Sequence, residues 1–207
     1  MKITEFVNEL ATAVSPPHCT NPYAGERPFA KQRRYNLQTY LHLMALHTPA
    51  FLLLGEAPGY RGCRITGIPF TSPSILSTFG KQLGQTSEPF QTVPEWPQIS
   101  REASATIVWR TIGGWQPLPL LWNIFPFHPH QPGNPKSNRT PKTSEIALGR
   151  PFLNHLLQLF PGITLVAVGK KASGALTKWD LGHTAVRHPS HGGAKKFQTA
   201  LSKLQEM

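Results

Sequence analysis

Aspartate is almost missing from this chain: Asp180 is the only one in 207 residues, and the glutamates are scattered. A two-metal nuclease or phosphatase gathers several carboxylates around its ions, a demand this inventory hardly meets. Cysteine is nearly as scarce. Cys19 and Cys63 alone can build neither a disulfide framework nor a four-cysteine zinc or iron–sulfur site within one chain, and a reduced, cytoplasmic setting is expected. No apolar run approaches the roughly 20 residues of a membrane span. The stretch MKITEFVNELATAV lacks the apolar core of a signal peptide, so a soluble protein with no membrane partner is expected. No G-x-G-x-x-G follows a candidate strand, which argues against a dinucleotide. The segment GITLVAVGKK fails as a phosphate loop, because Gly162 and Gly169 are too far apart and no Ser or Thr follows Lys170.

What the chain does have is cationic charge. Lys and Arg number 21 against 10 acids, a formal net charge of +11, which points to a polyanionic partner, with nucleic acid ahead of a membrane surface. The length suits one domain, residues 1–207, with a full hydrophobic core. Nine histidines raise the question of a metal. His128 and His130 lie two apart and His188 and His191 three apart, but proline interrupts each pair and supporting acids are few, so no metal or other cofactor is expected.

Apolar spacing predicts short helices over 3–14 and 36–47, the second capped by Asn36 with Leu37, Tyr40, Leu41 and Met44 on one face. AFLLLG, 50–55, is continuously apolar and reads as a strand buried on both faces. Residues 71–99 form a Pro-, Ser- and Thr-rich excursion, 100–112 read as helix, and LPLLWNIF, 118–125, as the second strand. After a Pro- and Asn-rich loop comes a helix with Thr140 as cap and Pro141 at its first position, divided near Gly149 and Pro151. ITLVAVG, 163–169, and HTAVRH, 183–188, supply two more strands, and Phe197, Ala200, Leu201 and Leu204 mark a final helix. Strands alternating with helices predict an α/β fold, a three-layer α/β/α sandwich around a mainly parallel four-stranded sheet.

In open parallel sheets ligands bind beyond the carboxyl ends of the strands. GEAPGYRG leaves the first strand, NIFPFHPH the second and HPSHGG the fourth, so one cleft collects Glu56, Phe70, Asn123 and His188.

Taken in order, GEAPG, GIPF, WNIFPFHP and HPS resemble the motifs of the uracil-DNA glycosylase superfamily, over roughly residues 50–200. The chain is most similar to its thermostable iron–sulfur branch, which shares GEAPG and G-x-PF, but it lacks the four cluster cysteines. Its acidic tract is replaced by Tyr60, Arg61 and Gly62, and the loop after HPS, HGGAKKF, carries no apolar wedge.

The resemblance implies a metal-independent, monofunctional glycosylase acting as a monomer on uracil-containing DNA. A uracil-recognising DNA-binding relative with little turnover is the alternative. His188 would donate to uracil O2 as charge builds on the leaving base, and Glu56, the only acid in the first motif, would activate water or stabilise the sugar cation. The base would lie on Phe70, with Asn123 reading O4 and N3–H. Gly55, Ala57 and Gly59 would frame the pocket. The best-known members carry a tyrosine at the place of Gly59 that excludes thymine's methyl group; here either the gate is open or Tyr60 folds back to close it. For the DNA backbone the candidates are Ser72, Ser74, Asn138, Arg139, Ser190, Gly192, Gly193, Lys195 and Lys196.

Overall fold

A computed structural model describes residues 2–25, 27–95 and 100–206. Its centre is β2 (Phe51–Gly55), paired in parallel with β3 (Leu120–Asn123) on one side and β5 (Thr164–Val168) on the other, with β6 (Thr184–Val186) beyond β5. Leu52 pairs with Leu120 and Leu165, Gly55 with Asn123, and Val168 with Val186. Leu52, Leu53 and Leu54 are fully buried: a strand flanked by strands and covered on both faces needs apolar side chains pointing both ways, hence the continuous run.

Helices supply the outer layers of this three-layer α/β/α fold. α1 (Ile3–Thr12) packs on α2 (Ala30–His47) and on α7 (Arg150–Leu159), while α5 (Ala103–Ile112) packs on α9 (Ala194–Gln205). α8 (Lys170–Lys178) connects β5 to β6 and packs against both. Leu37, Tyr40, Leu41 and Met44 of α2 and Phe197, Leu201 and Leu204 of α9 are buried as their spacing predicts, with Ala200 half-buried beside the last, and α1 buries Phe6, Val7 and Leu10.

Four features differ from the sequence expectation. α2 begins six residues before Asn36, which is no cap: its buried amide donates to the carbonyls of Thr66 (3.0 Å) and Gln91 (2.9 Å), tying the helix to the end of one short helix and to a loop. The 71–99 excursion contains α4 (Pro73–Gln82), its start marked by a proline in the first turn; residues 96–99 lie outside the described residues. The helix expected to start at Pro141 starts two residues later, as α6 (Thr143–Ala147), because the Glu145 carboxylate accepts from the Lys142 amide at 2.7 Å and caps that turn. Finally, β4 (His128–Pro129), read as loop, pairs antiparallel with β1 (Cys19–Thr20). The division of α6 from α7 at Gly149 is as expected.

β3 is an edge strand, and its Leu121 N–H is met by the Tyr40 hydroxyl at 2.7 Å. Tyr40 is 1% exposed, so removing that oxygen leaves a buried amide with no acceptor. Tyr40→Phe is expected to lower unfolding free energy by about 1–3 kcal/mol, read as a reduced urea midpoint at unchanged slope.

Candidate active site

Gly55 closes β2 and does not itself line the recess beyond it; its bare Cα is what lets Phe70 and Asn123 pack there. A Cβ there would overlap the Phe70 ring and stand 2.7 Å from Asn123 Oδ1. Asn123, the last residue of β3, reaches this point because it pairs with Gly55 in register. Phe70 arrives from the loop after α3 (Cys63–Thr66), with its backbone in the left-handed region at φ +53°. Such a conformation is uncommon for a bulky residue, and the Trp109 indole N–H, donating to the Phe70 carbonyl at 3.0 Å, holds it. Phe70 is 8% and Asn123 4% exposed.

His188 enters from the end of β6. The Ser190 backbone N–H donates to His188 Nδ1 at 3.2 Å, and the Ser190 hydroxyl lies 2.7 Å from the same nitrogen. An N–H only donates, so Nδ1 is the acceptor, and in the neutral ring the proton resides on Nε2. Burial, with the nearby His191 and Arg187, holds the His188 pKa below its ordinary value, which favours that neutral ring. Gly193 lets the chain turn tightly here, since a Cβ would collide with the His188 carbonyl.

Glu56, Ala57, Gly59, Phe70, Asn123 and His188 line one recess of about 50 Å3, joined by Cys63, Glu102 and Ser104. The recess lies beside a cleft of about 620 Å3 whose wall carries Arg139, Lys170, Lys171 and Arg187. Burial raises the Glu56 carboxyl above its ordinary range, while Lys171 and a hydrogen bond with Thr140 pull it down. Burial alone pushes Glu102 up to about 7.

Several expected DNA contacts are placed otherwise. Ser72 is fully buried, its hydroxyl 3.1 Å from that of Ser74, so it cannot meet a phosphate from this position; Ser74 is half-buried. Arg139 lines the cleft, but its guanidinium is committed to both Glu145 oxygens at 2.7 Å and to the carbonyls of His18 and His130. That pairing holds the Glu145 carboxyl down to about 2, with the Lys142 amide assisting. Gly193 is buried and Ser190 is occupied by His188 and His191, which makes both positioning groups for the imidazole. Asn138 accepts from the Tyr60 amide at 3.0 Å. Gly192 at φ +74° turns the chain towards α9, where Lys195 and Lys196 are exposed.

Tyr60 does not close the recess. Its ring stacks with the Arg61 guanidinium at 5.2 Å, and Glu102 occupies the space that a side chain on Gly59 would take. The sequence reading missed Glu102 and the cations Lys170, Lys171 and Arg187. Lys170 and Lys171 carried a usable signal, because they follow the carboxyl end of β5 as the other site residues follow theirs.

His128 is structural: both ring nitrogens lie against carbonyls, Pro58 at 2.7 Å and Pro135 at 3.1 Å, and burial drops its pKa to about 4. Among the described residues, no three His, Cys, Asp or Glu side chains form a metal-holding group, and no helix is long and apolar enough to cross a membrane.

The model of the uracil DNA glycosylase superfamily matches residues 43–206, a span that includes all four strands of the parallel sheet. The chain belongs to this superfamily. Its fold is similar to the crystal structure of wild-type Pedobacter heparinus SMUG2, with a TM-score of 0.66 and 20% identity over 100% of both chains. No curated protein matches it in sequence.

The sign of the His188 shift sets a pH dependence. A lowered pKa means the ring takes its proton only below the ordinary 6.5, so glycosylase turnover that needs the neutral ring should persist through 6.5 and fall at lower pH. His191→Ala removes one cause of the lowering and is expected to move that acid limb to higher pH, measured by single-turnover rates across the titration.

Proposed function

We propose that this protein hydrolyses the N-glycosidic bond of deoxyuridine in DNA, releasing uracil and leaving an abasic site, without a metal and without cutting the strand. The observation that carries the reading is the convergence in one recess of an aromatic face, a buried amide and an imidazole whose Nδ1 is already satisfied. Together they match the three demands of the chemistry. A base must leave the duplex before its glycosidic bond is reached, and an extruded pyrimidine stacks on Phe70. The Asn123 amide accepts from N3–H and donates to O4; cytosine presents a bare N3 and an amino group, so one amide orientation cannot serve both bases.

Cleavage pushes negative charge onto the base as the sugar becomes cation-like. The Nε2–H of a neutral His188 donates to O2 as that charge develops, and little reorganisation is needed because Ser190 fixes the ring beforehand. Glu56 lies on the same recess and opens to the wide cleft. Its ionised form stabilises the developing sugar cation or takes a proton from the attacking water. Lys170, Lys171 and Arg187 on the cleft wall, with the exposed Lys195 and Lys196, supply the cationic track for phosphates on either side of the lesion.

The test is a labelled uracil-containing oligonucleotide incubated with protein in chelator and run on a denaturing gel with and without alkali. Breakage only after alkali supports the proposal; activity that needs added metal, or breakage without alkali, refutes it. His188→Ala is expected to lower the single-turnover rate by roughly 10²-fold with DNA affinity little changed, the scale of one lost oxyanion-type donor.

Salt dependence checks the phosphate track separately. Binding should weaken linearly in a log–log plot against salt, and Lys195→Ala with Lys196→Ala should flatten the slope by up to about two if both cations sit on phosphates.

A further inference from the structure

Glu102 immediately precedes α5, yet its side chain makes no cap to that helix. It turns instead into the recess beside Phe70, Asn123 and His188. The carboxyl lies directly on the bare backbones of Gly59 and Gly62: a Cβ on Gly59 would overlap it, and one on Gly62 would stand 2.7 Å from Glu102 Cδ. No side chain among the described residues is hydrogen-bonded to it; the only bonds involving the residue are those its backbone carbonyl accepts from Thr106.

Its placement is braced on both sides in sequence. Upstream, the Ser100 hydroxyl donates to the Arg61 carbonyl at 2.9 Å, and Glu95 bridges Arg33 and Arg64, the latter at 2.6 Å. Downstream, Trp109 of α5 holds the Phe70 carbonyl. A half-buried carboxyl is thus anchored at the recess with no hydrogen-bond partner among the described residues.

We infer that Glu102 is the specificity-determining wall of the recess at the 5-position of the bound pyrimidine, where it favours a hydrogen-bonding 5-substituent over a methyl group. The inference rests on the uracil-glycosylase reading. With one face of the ring on Phe70, O4 and N3 at Asn123, O2 at His188 and N1 leading out to the sugar, the edge left over is C5–C6. The part of the lining left over is Gly59 with the Glu102 carboxyl over it. Burial places that carboxyl near 7, so at neutral pH it is present both as an O–H that donates and as a carboxylate that accepts. A 5-hydroxymethyl group bonds to either form. A 5-methyl group bonds to neither, and it pins a desolvated polar group against carbon.

Single-turnover cleavage of oligonucleotides carrying uracil, 5-hydroxymethyluracil or thymine opposite guanine tests this, each rate being normalised to the same protein's rate on uracil. Wild type and Glu102→Gln, whose amide also donates and accepts, should favour 5-hydroxymethyluracil over thymine. Glu102→Leu keeps the bulk without the polar atoms and should collapse that ratio by roughly 10- to 100-fold. Glu102→Ala, which empties the space, should raise thymine relative to uracil. Uracil release by all proteins with unaltered ratios overturns the inference alone. A parallel loss on all three bases in both Glu102→Gln and Glu102→Leu also overturns it, since that pattern belongs to a group acting on the bond itself. No uracil release by wild type removes the underlying reading and the inference with it.

Discussion

A side chain on Gly55 would need space that the Phe70 ring and the Asn123 amide already fill, and the whole site follows from that constraint. A glycine at the end of a central strand forgoes side-chain packing and costs backbone entropy. In return, an aromatic face and an amide approach the same backbone point from two different segments. The sheet extends its own order into the loops to hold them: the amides of Ile124 and Phe125 donate to the carbonyls of Gly55 and Glu56, at 2.9 and 3.1 Å, continuing the β2–β3 ladder past both strand ends. The motif loops are an extension of the sheet's hydrogen bonding.

In a chain this basic, the placement of the few acids separates architecture from chemistry. Glu145 is locked by Arg139 and by the amide that opens α6, Glu95 joins Arg33 to Arg64, and Glu9 meets His155 at 2.6 Å between α1 and α7. Glu95 and Glu9 link segments distant in sequence, Glu145 closes a local loop, and each of the three carboxylates has a bonding partner. Glu56 and Glu102 both face the recess, burial raises both, and among the described residues Glu102 has no partnering cation. Polar groups left desolvated without a full set of partners are costly to keep, and sites that bind ligands are where such costs are tolerated.

The sheet, its parallel order and the clustering of GEAPG, WNIF and HPS at one edge were legible because they rest on local patterns: unbroken apolar runs, periodic stripes, and polar residues directly after strands. Asn36 was misread because a residue that caps helices on intrinsic preference is here a buried tie from α2 to Thr66 and Gln91, a choice made by tertiary contacts. Arg139 was misread for a similar reason: a cation in a polar loop looks solvated until its partner, six residues on, folds back onto it. Glu102 gave no sequence signal at all. It was read only as part of the 100–112 helix, and its importance comes from meeting Gly59, 43 positions away, through the packing of α5.

The imidazole, unlike the amide and the aromatic ring, is carried by the sheet's weakest member. β6 is three residues long, lies at an edge, pairs only with β5, and leaves Thr184 and Ala185 exposed. Cooperative opening starts where ladder bonds are few and solvent is near. On warming, this end of the sheet should fray while β2 and β3 still hold Asn123 over Gly55, leaving a folded molecule whose recess keeps the amide and has lost the imidazole. Heat inactivation would then precede global melting, and a lesion could still be gripped by a molecule unable to cut it out.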